Sequence, residues 1–512
     1  MKLYKNITRI SVLLVLMLSV GACNSVLDEM PENTKFTEDI DYTISKNAIL
    51  PLIGAYEQFY AKGWPNNPLM SVRGDDVNAG GLGDQQDFAE TDLFNYNKDY
   101  WMYNGAMTDE MRVIFHAHST MEQVQLYKDA SGNPDADQYI AEAKVIRAWV
   151  LLFITRTWGS FFIPTSSDPS ELLVAELYTK DEIMQHLSDQ MDEAIPELLD
   201  LNPNMRTDIR GGVTRATALA IKAIANLELE KYQEVADATG QIISSNKFSL
   251  EPDFYELFKI PGKLNNENLL ELQYSDFGQG EGDRKAYLYA FFGPQGWTPK
   301  IEGSQSGWGF WEPSLTWIKF MLDRNESIRL ETSVLFTNRG ISEIQKDANY
   351  ATLPNWISNT TRSGDIVNDY PRAFFASGKH YLPSDQLTPG RKPYGSNKNF
   401  TCIRYAEVLL MYAEALTQGA SGTAGSADEA VNEVRTRAKL TPLSGVSNQD
   451  VMDEKFAELA MEWGTRFFDM VRLKKYDVLS YEGRTFTEDL IFLPYPQAQV
   501  DQLSQLSNPP AN

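Results

Sequence analysis

Sulfur and imidazole are scarce in this 512-residue chain, which has two cysteines, Cys23 and Cys402, and four histidines. Two thiols allow at most one disulfide, so a chain of this size must be held by its core rather than by cross-links. His116 and His118 stand at i and i+2 on an expected helix and so point to different faces, a spacing that suits no zinc site. Basic charge is also short. Against 70 Asp and Glu there are 46 Lys and Arg, a formal net charge of −24. Such a surface repels phosphate backbones and anionic lipid, which argues against a nucleic-acid partner and leaves membrane contact to an anchor. Catalytic signatures are missing too. GSQSG at 303–307 is not a nucleophile elbow and GQGEG at 278–282 is not a dinucleotide loop, while DASGNPDAD at 129–137 has scattered oxygens without calcium-loop order. No cofactor, metal or catalytic residue is expected.

Long apolar runs are absent with one exception. Lys2, Lys5 and Arg9 precede an apolar stretch at 10–20, and Gly21 and Ala22 follow it, the layout of a secretory signal peptide over 1–22. The stretch is too short to cross a bilayer, which takes about 20 residues. The run Val20-Gly21-Ala22-Cys23 resembles the lipobox of bacterial lipoproteins, which implies that Cys23 is acylated and becomes the mature N-terminus. Two or more acyl chains hold a protein to a membrane stably. Cleavage would remove three positive charges and leave 43 against 70, a net of −27. Cys402 would then have no intramolecular partner.

Hydrophobic residues make up 43% and aromatics 12% of the chain, enough to bury a core and inconsistent with disorder. Residues 23–40 read as a lipidated end and polar tether. Helical periodicity follows at about 44–61, 108–128, 136–158, 179–200, 214–229, 232–245, 404–418, 426–438 and 448–474. Within 404–416, Tyr405, Val408, Leu409, Tyr412 and Leu416 place an apolar stripe on one face. The stretches 214–229 and 232–245 carry small residues at Ala216, Ala220, Ala223 and Ala236 and are separated by only a few residues, as in tetratricopeptide-type hairpins, although no strict 34-residue period is present. A second hairpin is expected from 404–418 with 426–438. Short strands are expected at 268–275 and 489–496. Residues 276–400, rich in Gly, Pro, Asn and Trp, read as a loop-rich insertion. The expected fold is mostly α: a degenerate tetratricopeptide-like helical-hairpin scaffold over 41–275 and 401–512, with long irregular ligand-binding loops and a few short strands.

Tryptophans divide by context. Trp149, Trp158 and Trp463 fall within expected helices and read as core, whereas Trp64, Trp101, Trp297, Trp308, Trp311 and Trp356 lie in or beside non-periodic segments. Flat indoles complement the apolar C–H faces of sugar rings, and polar neighbours read the hydroxyls. GWGFWEP at 307–313 supplies the first character, and VRGDDVNAGG at 72–81 supplies the second through Arg73, Asp75, Asp76 and Asn78. The candidate ligand-binding residues are therefore Arg73, Asp75, Asp76, Asn78, Trp101, Trp297, Trp308 and Trp311. Packing of the same loops against the helices is the alternative.

Three stretches carry a family resemblance. AEAKVIRAWVLLFITRTWGSFFIP (141–164), IRYAEVLLMYAEAL (403–416) with VNEVRTRAKL (431–440), and EKFAELAMEWGTRFFDMVR (454–472) resemble the signature helices of the RagB/SusD family, and FLPYPQAQV (492–500) is similar to its C-terminal Leu-Pro-x-Pro. The chain departs at Glu454-Lys455, where many members have Glu-Arg, and at its NPPAN ending. In the last helix Glu454, Glu458, Glu462 and Arg466 recur every four residues, with Asp469 and Arg472 three further on each time, and read as ion pairs that clamp helices. The resemblance implies an outer-membrane lipoprotein, facing the cell exterior, that captures a nutrient, most often a glycan. It also implies a partner, a SusC-like TonB-dependent transporter barrel on which the protein sits as a lid, and binding rather than bond cleavage. A peptide-capturing lid, a glycoside hydrolase and a protein-binding tetratricopeptide scaffold are the competing readings.

Overall fold

The computed structural model describes residues 40–61, 72–80, 85–275, 287–390 and 396–511. Cys23, the signal segment, nearly all of the tether, Trp64 and GQGEG lie outside the described residues.

Helical hairpins build the scaffold in a continuous array. The helices are α1 (Ile49–Tyr60), α2 (Gln86–Asp92), α3 (Trp101–Ser131), α4 (Ala136–Trp158), α5 (Lys180–Ala194), α6 (Arg215–Glu228) and α7 (Tyr232–Ser244). After a long excursion come α11 (Tyr405–Thr417), α12 (Ala427–Arg437), α13 (Asn448–Leu459) and α14 (Thr465–Arg472). In space α1 packs on α3, α3 on α4, α4 on α5, α5 on α6, α6 on α7, α7 on α11, and α11 on both α12 and α13. Local signals set several starts. Thr179 with Glu182, Ser426 with Glu429 and Ser447 with Asp450 form capping boxes that satisfy the first amides of α5, α12 and α13. Ala220, Ala223 and Ala236 are buried where α6 meets α7, as their size suggests. The expected one-sided stripe of α11 understates its position. From Tyr405 to Ala415 every residue but Glu407 is buried, because α7, α12 and α13 surround it.

The excursion 245–404 leaves and re-enters the array through one antiparallel pair, β4 (Asn268–Leu272) with β10 (Phe400–Arg404). The other strands are β1 (Val77–Ala79), β2 (Phe161–Phe162), β3 (Leu177–Tyr178), β5 (Trp297–Thr298), β6 (Trp311–Pro313), β7 (Val334–Phe336), β8 (Ile366–Val367) and β9 (Phe375–Ser377), which pair as β1–β6, β2–β3, β5–β8 and β7–β9. The excursion also carries the short helices α8 (Leu315–Asp323), α9 (Ile328–Ser333) and α10 (Asn338–Ile344) and single turns at Phe254–Leu257 and Leu288–Phe292. It is more ordered than its lack of periodicity suggests. Tyr289, Leu335, Val367, Tyr370, Ala376, Tyr381 and Leu382 give it a small core of its own, built from elements too short to show a period.

Two expectations fail here. The segment 448–474 is not one helix but two, broken at Ala460–Gly464, where Met461, Trp463 and Gly464 all have positive φ. Tertiary contacts hold this costly backbone: the Trp463 indole donates to the Thr401 carbonyl and stacks on Phe400, and the Met461 amide donates to Asp76. Trp463 is thus core, as expected, but sits in the break. The segment 489–496 forms no strand. Pro494 and Pro496 lack ladder donors, and the stretch is tied instead by the Leu493 amide to the Thr157 carbonyl and by the Tyr495 hydroxyl to that of Ser160.

Buried ion pairs lock the C-terminal helices to the neck of the excursion. Glu454 pairs with Arg324, Arg329 and Arg435; Glu458 with Arg329, Arg404 and Arg437; and Glu462 with Arg404 and Lys379. The partners come from other elements, not from the same helix. Asp469 with Arg472 is the one i, i+3 pair of the sequence reading that forms, and Arg472 and Lys455 also hold Glu414 of α11. Lys379 and Arg404 donate to the Glu458 carbonyl, and Lys379 also to that of Ala460, so cations cover the orphan acceptors where α13 breaks.

Stability depends on pH in both directions. Burial would raise the Glu458 and Asp469 carboxyls, but the surrounding cations, Arg437, Arg404 and Arg329 for the first and Lys455 and Arg472 for the second, hold both well below the usual range. Their contribution is present above about pH 4 and is lost in acid. Glu312 behaves oppositely. Burial pushes it up to about 8, although the Phe375 and Phe374 amides favour the charged form. A raised carboxyl stabilises fully below its unfolded pKa and loses that contribution as pH rises through the folded value. The melting temperature is therefore expected to decline from about pH 5 to about pH 8 and again below about pH 4. Glu312→Gln, followed by calorimetry, is expected to flatten the alkaline decline and leave the acid one unchanged.

Candidate functional site

Backbone geometry explains GWGFWEP. The amides of Trp308, Gly309 and Phe310 donate to the carbonyls of Ala290, Gly293 and Phe291, so 307–310 lies directly on 290–293. A Cβ at residue 307 would sit 2.5 Å from the Gly293 backbone, and Gly309 has φ +63 with the Tyr370 ring 2.8 Å from where its Cβ would be. Only glycine serves at both. With the chain laid down in this way, Trp308 remains half-buried at the surface while Phe310 and Trp311 turn inward. Trp308 stands edge-on to Phe291 at 5.1 Å and lies 6.3 Å from the Tyr287 ring, and the Arg372 guanidinium covers Phe310 at 4.1 Å.

Trp101 joins this surface through α2. Its indole is 49% exposed at the first position of α3, whose Trp101 and Met102 amides donate to Asp87. The next residue of α2, Phe88, packs on Phe291 and Trp311. Helix α3 starts seven residues before the expected 108 because its cap comes from another element. Trp297 is half-buried on β5, edge-on to Tyr381 at 6.1 Å, two residues beyond Gln295, which touches Gly309. Tyr287 and Trp308 thus belong to one aromatic cluster with Phe291 and Phe310, to which Trp101 is tied through Asp87 and Phe88 and Trp297 through Gln295. Trp356 lies elsewhere, in a small cavity with Tyr255, Arg362 and Tyr381.

The polar candidates are placed differently. Arg73 is fully buried under the Phe467 and Phe468 rings and donates to the Ile491 carbonyl. Asp75 accepts two hydrogen bonds from Arg466, at 2.6 and 3.0 Å. Asp76 accepts from the Met461 amide, and burial raises it to about 6. Asn78 is held by Arg484, Tyr481 and Glu482. Together with Trp311, which is fully buried, these residues join β1 to the C-terminal helices and to β6. Arg73, Asp75, Asp76 and Trp311 therefore have no surface to offer a ligand in this structure, which corrects their assignment to a binding loop. The polar run of 72–78 is explained by long-range partners at 461–491. Arg466→Ala is expected to strand buried Asp75 at a cost of about 3 kcal/mol; urea unfolding should show the loss, with ligand preference unchanged.

Sequence reasoning missed Tyr287, Phe291, Phe310 and Arg372. The signal was the aromatic run 287–292, YLYAFF, which reads as a core helix but turns one ring outward.

Burial raises Asp92 to about 6, but it is clamped by Arg484 and the Ala79 amide. Among the described residues no group of three His, Cys, Asp or Glu side chains is placed to hold a metal ion. His118 is buried against Arg147 while His116 is exposed, on different faces of α3. DASGNPDAD forms the α3–α4 turn, with Gly132 in the left-handed cap and Asp137 paired to Lys128.

Residues 266–511 match the SusD family model. The C-terminal half of the chain thus carries a SusD-family match. Curated SusD relatives extend the likeness over nearly the whole sequence: SusD-like protein P38 of Formosa agariphila is 22% identical, with 96% of each chain covered. Among solved structures, a SusD homolog from Bacteroides thetaiotaomicron has a TM-score of 0.75 at 18% identity, covering 93% of this chain and 99% of its own. Surface glycan-binding protein A from the same organism, solved in complex with laminarihexaose, has a TM-score of 0.73 at 22% identity, covering 90% of this chain and 98% of its own. The mostly helical, tetratricopeptide-like scaffold is thus a SusD fold.

Proposed function

We propose that this chain is a surface lipoprotein that captures an oligo- or polysaccharide and delivers it, as a lid, to a TonB-dependent outer-membrane transporter. The observation that carries the reading is the set of rings at the surface, half-buried Trp308 and Tyr287 on the excursion and exposed Trp101 at the start of α3, in a fold shared with a protein solved with laminarihexaose bound. Stacking on sugar C–H faces needs such rings fixed in place, because a pre-ordered ring loses little entropy on binding. The reading gives membrane attachment to acyl chains on Cys23, since no helix of the described residues is long and apolar enough to cross a membrane. It assigns no bond cleavage: Asp76, Asp92 and Glu312, which burial raises, are all enclosed and engaged by neighbouring groups.

Titration calorimetry with a glycan panel, laminarin-type β-glucans first, tests the reading when combined with chromatography of the mixtures. Binding without product is expected. Product release would make the chain a hydrolase, and binding only to peptides would replace the cargo.

A further inference from the structure

Beside the indole region is a small cleft lined by Tyr274, Tyr287, Tyr289, His380, Lys398 and Asn399. Tyr287 belongs to both, its ring 6.3 Å from that of Trp308. The cleft has room for about 20 Å³. That is space for one water-sized group, too little for a sugar ring but enough for one oxygen of a substituent projecting from it.

Most of the lining is already committed. The Tyr289 hydroxyl donates to the Gln305 carbonyl, Asn399 bridges the Tyr274 amide, Glu271 and Gln273, and His380 is hydrogen-bonded to Ser377 and stacked on Phe292 at 4.1 Å. Lys398 differs. Lys398 is half-buried, and among the described residues its ammonium donates only to the Asn399 carbonyl, at 3.3 Å, which leaves two of its three N–H groups without an acceptor there. The carboxylates that act on it are engaged elsewhere: Glu271 accepts from Asn399, Asn268 and the Leu264 amide, and Glu462 pairs with Arg404 and Lys379. Lys263, on the same side, is satisfied by the carbonyls of Tyr274 and Asn397. Lys398 thus differs from Lys263 in having neither a carboxylate partner nor a full set of carbonyls among the described residues.

We propose that Lys398 reads an anionic substituent, a carboxylate or a sulfate carried on the sugar bound at the indole region, which enters this cleft and pairs with Nζ. The inference deepens the glycan-binding reading and rests on it. Ring stacking supplies affinity that any sugar can share, whereas the ammonium penalises a neutral sugar by remaining without a partner. Desolvation lowers the amine to about 8, which leaves it mostly protonated at neutral pH.

The test uses four probes: an oligogalacturonate and its methyl ester, and a sulfated oligosaccharide and its desulfated parent, titrated against the wild type, Lys398→Met and Lys398→Arg, with circular dichroism as the folding control. One acidic member is expected to bind about tenfold or more tighter than its neutral counterpart, a charge-assisted contact of typical strength. That gap should close in Lys398→Met and persist in Lys398→Arg. Which acid shows it separates carboxylate from sulfate. Lys398→Gln replaces the methionine variant if the latter does not fold. Equal binding of acidic and neutral members by the wild type, or a gap that survives loss of the charge, overturns the inference and leaves glycan binding standing. Failure of every glycan, neutral ones included, overturns both.

Discussion

Arg404→Met is expected to lower the free energy of unfolding by about 3–5 kcal/mol, the usual cost of removing one partner from a buried ion network. Arg404 is 1% exposed and reaches Glu267, Glu458 and Glu462 as well as the Glu458 carbonyl. It stands at the end of β10, where the excursion rejoins the array, and its partners stand just before β4, on α13 and in the break that follows. Its loss therefore strands carboxylates on both sides of that junction. Lys379, Arg329 and Arg437 remain, so the network should weaken rather than collapse. Urea unfolding should show a lower midpoint, and ligand preference should not change, because the network lies inside the scaffold. An Arg404→Met protein as stable as the wild type would mean that these pairs contribute specificity of fold and not stability.

Trp308→Ala is expected to weaken binding of the cognate glycan by about 2 kcal/mol or more, roughly a 30-fold loss, with the fold retained. Trp308 is only half-buried and its backbone hydrogen bonds do not depend on the indole, so the loop should stay in place. Trp101→Ala should act in the same direction. Trp311→Ala should not. That indole is fully enclosed by Phe88, Phe291 and Phe292, and its removal should cost about 3–5 kcal/mol of stability before any binding is measured. The two tryptophans of one motif thus separate surface from core, which titration and melting curves on the same preparations will resolve.

The scaffold was legible where its signals are local. The helices expected to start at about 179, 426 and 448 and the small-residue pair 214–245 are present, but 179–200 stops at Ala194 and 448–474 breaks after Leu459. What failed depends on contacts distant in sequence. The start of α3 is capped by Asp87, the break after Leu459 is held by Asp76 and Thr401, and the carboxylates of 454–462 find arginines from 324 to 437 rather than on their own helix. Periodicity carries none of these. The candidate site divides for the same reason. Of the aromatic candidates, Trp101 is exposed and Trp308 half-buried while Trp311 is enclosed, and charge in a glycine-rich stretch at 72–78 looked like a binding loop until its partners at 461–491 were in view. Lys398 gave no signal, because an unpaired ammonium is recognised only once the neighbouring carboxylates are seen to be engaged.

The central claim is that this chain binds sugar rings on the surface formed by Trp101, Tyr287 and Trp308. A crystal structure with the tightest-binding oligosaccharide of the panel tests it most directly. The account predicts a sugar ring in van der Waals contact with the face of Trp308 or Trp101. A sugar bound instead in the groove between α1 and α3, beside His116 and Tyr127, with the indoles untouched, would contradict it.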